Sequence, residues 1–156
     1  MPSVYGLDHA TSAPGTRLSL RQASDWLEGA RLYWVVTVRP DGRPHAVPVE
    51  GHWLDDTFYF GAAPGTRRAL NLAKNPAVVV HSESGERAVI LEGFAEKVTD
   101  AAMLERLADM NEAKYGLRPQ PSQQIESTYM VRPRIAFGFV ESDFIESATR
   151  WRFASP

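Results

Sequence analysis

The chain has 156 residues, the size of one ordinary domain, and its 17 basic against 19 acidic residues give a net charge of −2. That balance excludes a general nucleic-acid binder, which needs a concentrated basic excess. The absence of cysteine excludes disulfides, thiolate nucleophiles and cysteine metal sites. No apolar run is long enough for a membrane span, and the first residues lack the pattern of a signal peptide. We therefore expect a cytoplasmic protein without a membrane or nucleic-acid partner.

The first part of the chain predicts an arm followed by a short helix. Residues 1–18 contain proline and glycine without hydrophobic periodicity, so we interpret them as an N-terminal arm and residues 19–156 as one domain. Ser19 and Gln22 have the spacing of a capping box. The apolar residues that follow lie on one helical face, and Gly29 stands where such a helix would end.

Two strands are predicted next. Residues 32–38 are rich in β-branched and aromatic side chains, which is typical of a buried strand, and Pro40-Asp41-Gly42 forms a turn. Residues 43–53 alternate, which would place His45, Val47, Val49 and Trp53 on one face. Because prolines at 44 and 48 cannot donate hydrogen bonds, this strand should lie at an edge or contain a bulge.

The remaining sequence predicts five more strands, two helices and a loop. The strands are predicted at residues 58–60, 77–82, 87–98, 129–141 and 151–153, the helices from Thr66 to about Lys74 and from Asp100 to Gly116, and the loop at residues 119–124. Short turns between most of the strands indicate a mainly β domain with few helices, a six- to seven-stranded antiparallel sheet. Closure into a small barrel would remove the exposed edges. Trp26 and Trp34 are expected in its core.

The sequence Gly65-Thr66-Arg67-Arg68 is the strongest local sign of a binding site. The first amides of a helix have no partner within the helix and carry partial positive charge. A threonine hydroxyl and two guanidinium groups would complete a pocket for a phosphate. The alternative is that both arginines are solvated residues of a surface turn.

Other catalytic patterns are absent from the sequence. The four histidines have no metal-ligand spacing, so we predict no metal site. The strand-to-helix serine elbow, the phosphate loop and the dinucleotide glycine pattern are also missing. Trp151, between two arginines, could stack on a planar ligand or close the end of the barrel.

The order of these segments resembles the split β-barrel flavin-binding superfamily, which comprises pyridoxamine 5′-phosphate oxidase-like proteins and flavin/deazaflavin-dependent oxidoreductases. The likeness covers residues 19–153 and is carried by a helix, the strand at 34–38, the segment at 40–49, the aromatic strand at 58–60, the segment at 65–72 and Asn75-Pro76-Ala77-Val78. It implies an FMN-binding split barrel that is a homodimer, with the cofactor in a cleft between two chains.

The resemblance also implies roles for individual residues. Thr66, Arg67 and Arg68 match the family's phosphate-binding pattern, with arginine in place of lysine, and Trp151 resembles an aromatic residue that reaches the partner's cofactor. The cofactor contacts implied in this way are His45, Ala46, Val47, Pro48, Val49, Tyr59, Phe60, Thr66, Arg67, Arg68, Ala88 and Trp151.

The chain departs from the oxidase at three positions. His45 and Glu50 stand where the oxidase has an arginine and a lysine, and Ala88 stands where it has a glutamine. Fewer basic contacts are typical of the branch that uses the deazaflavin coenzyme F-420. The resemblance therefore implies F-420 or FMN as cofactor, in that order, and hydride transfer to a small conjugated substrate.

The sequence leaves other functions open. His45 could protonate the reduced product of such a reaction. One alternative is a cofactor-binding carrier or sensor without catalysis. Another is a haem-binding split barrel, with His81 or His45 as the iron ligand.

Overall fold

A computed structural model describes residues 17–154, which form eight strands and five α-helices. The arm predicted at residues 1–18 thus lies outside the described residues except for its last two. The helices are α1 (Leu20–Gly29), α2 (Arg67–Lys74), α3 (Ala101–Tyr115), α4 (Pro121–Ser127) and α5 (Phe144–Ser147), the last preceded by a 3-10 turn at Glu141–Asp143. The strands are β1 (Tyr33–Val38), β2 (Pro44–Val49), β3 (Gly51–Leu54), β4 (Thr57–Gly61), β5 (Ala77–Ser82), β6 (Arg87–Lys97), β7 (Thr128–Val140) and β8 (Thr149–Arg152).

All strand pairs are antiparallel, in the order β2-β1-β5-β6-β7-β4-β3. The long strand β7 pairs with β4 through its first residues and with β8 through its later ones. The expectation of a mainly β, antiparallel fold is confirmed. The strand count is eight because the segment predicted as one strand at 43–53 is two strands, separated at Glu50.

The two ends of the sheet, β2 and β3, are joined in sequence by Glu50 alone. We call the gap between these two strands the seam. Pro44 and Pro48 leave β2 without two ladder donors, and β2 pairs only with β1. The edge position predicted from these prolines is therefore confirmed. Because its end strands are consecutive in the chain, the sheet curls around a main core, and a second, smaller cluster joins the sheet to α3 through Tyr59, Val98, Leu104 and Leu107.

The core lies on the inner face of this curled sheet. Its largest fully buried side chains include Tyr33, Phe58 and Leu27. It also contains a buried polar pair, in which Asn71 Nδ2 donates to Thr37 Oγ1 at 3.0 Å. Trp26 packs against the core, as expected. The prediction for Trp34 is wrong: because side chains of β1 alternate, Trp34 lies half-buried on the outer face, stacked on His81.

Helix ends follow the sequence closely. Ser19 forms the predicted capping box with Gln22, Asp100 caps α3, and Gly116 ends α3 with φ +76°. The predicted loop at 119–124 is partly wrong, since α4 begins there with a proline in its first turn. No helix within residues 17–154 is long and apolar enough to cross a bilayer.

Candidate functional site

A cavity of about 460 Å³ opens at the seam. Its walls come from the end of β2, from β3 and β4, from the start of α2, and from α3 and α4. Of the residues that the resemblance implies as cofactor contacts, the cavity is lined by Pro48, Val49, Tyr59, Phe60 and Arg68. The edge strands β2 and β3, the N-terminus of α2 and the covering helices α3 and α4 thus surround one cavity.

The first turn of α2 borders one end of the cavity. Gly65 has φ +86°, a conformation that glycine adopts without strain, and it directs the chain into Thr66, the N-cap residue. The Thr66 hydroxyl donates to the Ala63 carbonyl at 2.8 Å and accepts from the Ala69 amide at 3.4 Å. The hydroxyl therefore shapes the turn and caps the helix.

Arg68 is a half-buried cation in this wall. Its Nε donates to the Gly61 carbonyl at 3.0 Å, and burial lowers the pKa of its guanidinium. In the described part of the chain it forms no ion pair, whereas Arg21, Arg43, Arg106, Arg118 and Arg132 each contact a carboxylate. The anchored Nε leaves its terminal nitrogens for an anion, while Arg67 is exposed nearby.

His45 faces the same group of cations. Its Nδ1 is buried and has no hydrogen-bond partner within residues 17–154. Burial lowers the pKa of His45, and the positive charges of Arg39, Arg67 and Arg68 lower it further. At neutral pH the imidazole is thus neutral and lies within the electrostatic field of three arginines.

The opposite end of the cavity is polar and is covered by α3 and α4. His52 Nε2 lies 3.4 Å from Asn111 Oδ1, and Asn111 Nδ2 donates to the Leu117 carbonyl at 2.6 Å. Burial lowers the pKa of His52 and outweighs the opposing effect of Asn111. Gln124 Nε2 donates to the Leu104 carbonyl at 2.6 Å.

Lys114 lies behind this wall. Its Nζ donates to the Tyr33 hydroxyl and to the Gly51 carbonyl, each at 3.0 Å, and lies over the rings of Tyr33 and Tyr115. Burial, together with the charge of Arg31, lowers the pKa of Lys114 to about 8. The ammonium therefore binds to uncharged partners and holds β3 against α3.

Several predicted contacts do not line the cavity. Ala88 is buried in β6, opposite Phe139, and Trp151 packs against Gly138 and the core. The resemblance implies that Trp151 contacts the cofactor of a partner subunit, so its place outside this cavity does not test that prediction. His45, the one predicted catalytic residue, also lies outside the lining, as do Ala46, Val47, Thr66 and Arg67.

Sequence reasoning missed the residues that α3 and α4 contribute. Leu107, Asn111 and Gln124 line the cavity, and none was predicted to do so. Leu107 and Asn111 are one helical turn apart, so a polar side chain follows the apolar face of α3. That spacing is the one sequence signal that could have indicated Asn111 as a lining residue. Within residues 17–154, no three acidic or histidine side chains could hold a metal ion.

The family model of pyridoxamine 5′-phosphate oxidase matches residues 20–135. The chain therefore belongs to the pyridoxamine 5′-phosphate oxidase family, and the predicted split β-barrel is confirmed. No curated protein matched the sequence.

Several solved protein structures have a similar fold. A conserved hypothetical protein from Mycobacterium tuberculosis is 20% identical with a TM-score of 0.70, covering 83% of this chain and 89% of that one. General Stress Protein 26 from Bacillus anthracis is 18% identical with a TM-score of 0.66, over 83% and 95%. A protein described as an F420 reductase is 22% identical with a TM-score of 0.59, over 72% and 94%. At these identities the likeness shows the fold alone.

Proposed function

We propose that this protein is a homodimeric oxidoreductase that binds coenzyme F-420 or FMN and transfers a hydride to a small conjugated organic substrate. The observation that carries the proposal is Arg68, a half-buried cation without an ion-pair partner in the described chain, at the N-terminus of α2 and in the wall of a cavity. The family match and the similarity to an F420 reductase support it.

The α2 end of the cavity fits the phosphate of such a cofactor. A buried cation without a counterion destabilises the protein unless an anion pairs with it. Arg67, Arg68 and the amides of the first helical turn supply positive charge. The charges of the two arginines also act on His45, whose Nδ1 has no hydrogen-bond partner within residues 17–154. We place the cofactor phosphate here.

The other walls suit a planar ring. Phe60 and Tyr59 present aromatic groups, and Pro48 and Val49 present the edge strand β2. When bound, the cofactor supplies the hydride chemistry, whereas the chain positions the ring and excludes water. The lowered pKa of His45 makes its imidazolium scarce at neutral pH, so the predicted role of His45 as proton donor needs a neutral N–H.

Glu50 favours F-420 over FMN in this proposal. Its side chain stands in the cavity lining at the position where the resemblance implies a lysine in the oxidase. A carboxylate cannot pair with a phosphate, which leaves Arg67 and Arg68 as the principal basic contacts. A short set of basic contacts is what the resemblance implies for the deazaflavin branch.

The outer face of the sheet supports a homodimer. A second cavity of about 410 Å³ lies there, with mainly apolar walls that include Val36, Val38, Phe94 and Ile135. An exposed apolar patch of this kind marks an interaction surface. We assign it to the second copy that the resemblance implies. The cytoplasmic location expected from the sequence stays a prediction.

Cofactor titration tests the proposal directly. Cofactor-free protein is titrated with F-420 and, separately, with FMN, while cofactor fluorescence is followed. We expect a micromolar or lower Kd for one of them, and at least a tenfold weaker Kd in the double variant Arg67→Ala/Arg68→Ala. Arg21→Ala, at an exposed side chain of α1, is the control and should bind as the unchanged protein does.

Binding of neither cofactor, or equal binding by the double variant, would overturn the proposal. Consumption of reduced cofactor in the presence of a quinone, an enone or a nitro compound then tests for catalysis. Cofactor binding without any such turnover would favour the carrier or sensor over the enzyme.

A further inference from the structure

The polar end of the cavity consists mainly of hydrogen-bond acceptors, because the protein itself uses most of the donors there. The Ser127 hydroxyl donates to the Gln123 carbonyl at 2.5 Å, and the Thr128 hydroxyl donates to the Gln124 carbonyl at 2.7 Å. Each hydroxyl has a single hydrogen, so both oxygens retain only lone pairs for a ligand.

The tautomer of His52 can be assigned in the same way, from the donors and acceptors around its ring. Asn111 Nδ2 donates to the Leu117 carbonyl, which turns Asn111 Oδ1 towards His52 Nε2. An amide oxygen only accepts, so Nε2 carries the ring hydrogen and Nδ1 of the neutral imidazole is an acceptor. No described residue hydrogen-bonds to Nδ1, and His52 lies in the cavity wall.

Two more acceptors complete this end. Gln124 commits one amide hydrogen to the Leu104 carbonyl, and its Oε1 makes no hydrogen bond within residues 17–154. Glu50, also in the lining, is acceptor-only when ionised. The amides of Asn111 and Gln124 each retain one hydrogen, so acceptors outnumber donors. We call Glu50, His52, Gln124, Ser127 and Thr128 the acceptor end.

We propose that the acceptor end is a binding subsite for an uncharged organic group that carries an N–H or O–H donor, with His52 Nδ1 as its principal acceptor. A donor-bearing group would bind to lone pairs that no described residue uses. A carboxylate would place a negative charge against Glu50 and several lone pairs. The assignment of this donor group to the substrate rests on the proposed function, whereas the binding preference of the acceptor end does not.

Three matched probes test the preference: 4-nitrobenzyl alcohol, 4-nitrotoluene and 4-nitrobenzoate, which share one ring and differ in having a donor, a methyl group or a carboxylate. Binding to the cofactor-free full chain is measured by NMR titration, and affinity at the acceptor end is read from the amide signals of Ser127 and Thr128, because a benzoate held by Arg67 and Arg68 would shift signals at the α2 end instead. We expect the alcohol to bind about fivefold more tightly than the toluene, the gain of one net hydrogen bond, and the benzoate to bind most weakly.

Variants assign the preference to His52. His52→Phe removes the acceptor and should bring the alcohol to the affinity of the toluene. His52→Gln restores an acceptor and should retain most of the preference, which separates the hydrogen bond from an effect on folding. His81→Phe, on the outer face of the sheet, is the control and should leave all three affinities unchanged.

Tightest binding of the benzoate at the acceptor end, or the same preference there in His52→Phe as in the unchanged chain, would overturn the inference. A tenfold loss of F-420 or FMN affinity in His52→Phe would also overturn it, because the acceptor end would then hold the cofactor. If the preference is observed while neither cofactor binds, the subsite is supported and the proposed function alone fails.

Discussion

The interior of the barrel and the seam differ in the charge that they contain. In the interior, Val35, Phe58 and Val131 are fully buried, and the polar side chains of Asn71 and Thr37 are uncharged: the Asn71 amide donates to Thr37, while Asn71 Oδ1 has no hydrogen-bond partner within residues 17–154. At the seam, Arg68 and Lys114 are partly buried cations that lack an ion pair in the described chain. Stability therefore comes from the interior, whereas the unneutralised charge of Arg68 lies in the cavity wall, where a ligand can reach it.

The largest expected effect concerns interior packing. Leu72 of α2 is 6% exposed and belongs to the core, whereas Leu70 on the same helix is 47% exposed. Leu72→Ala should lower the free energy of unfolding by about 3 kcal/mol, from lost burial and a residual cavity. Leu70→Ala should change it by less than about 1 kcal/mol. Urea unfolding of both variants measures this, and equal losses would contradict the assigned core.

The buried polar pair should show a smaller effect. Thr37→Val leaves the Asn71 amide without its acceptor in the core and should cost about 2 kcal/mol of unfolding free energy. The double variant Thr37→Val/Asn71→Leu should cost less than the sum of the two single changes, because no unpaired partner remains. Strict additivity in a double-mutant cycle would show that the two side chains are not coupled.

Lys114 predicts a pH dependence that originates at the seam. Its pKa is about 8 in the folded protein and 10.5 ordinarily, so between these values the unfolded chain binds more protons. The free energy of unfolding should therefore gain about 1 kcal/mol from this group between pH 8 and pH 9. Lys114→Met should abolish that increment, and Lys74→Met, at an exposed residue of α2, should retain it. Unfolding midpoints at both pH values measure the difference.

The smallest effect is expected on the outer surface. Arg21 and Asp25 form an exposed ion pair at 3.2 Å, one helical turn apart on α1. Asp25→Ala should lower the free energy of unfolding by less than about 0.5 kcal/mol, since water and salt screen such pairs. A loss above 1 kcal/mol in thermal unfolding would show that surface charge matters here as much as packing does.

Local signals made the elements predictable. Ser19, Thr66 and Asp100 cap the three helices that were predicted from them. A cap can be predicted because its hydrogen bond joins residues that are at most three positions apart in the sequence. Pro44 and Pro48 predicted an edge strand because the missing N–H is a property of the proline residue itself. The break at Glu50 was not predicted, because an alternating pattern does not show where a strand leaves the sheet.

Non-local contacts account for what was missed. Trp34 was assigned to the core from its hydrophobicity alone, but which face of a strand is inside depends on the sheet that surrounds it. Arg68 was predicted as a phosphate contact from its position at a helix start, and its placement in the cavity wall agrees with that prediction without testing it. Asn111 and His52 are 59 residues apart, so no pattern in the sequence connects them.

The one-residue link at Glu50 also limits how the cavity can change shape. β2 is held by β1 and β3 by β4, and Gly51 approaches β4 so closely that a Cβ would lie 2.5 Å from the ring of Phe58. With no loop between them, the two strands have no hinge. This side of the cavity is thus preorganised: a ligand that binds against it loses its own freedom but orders little of these strands, which leaves more of the contact energy as affinity.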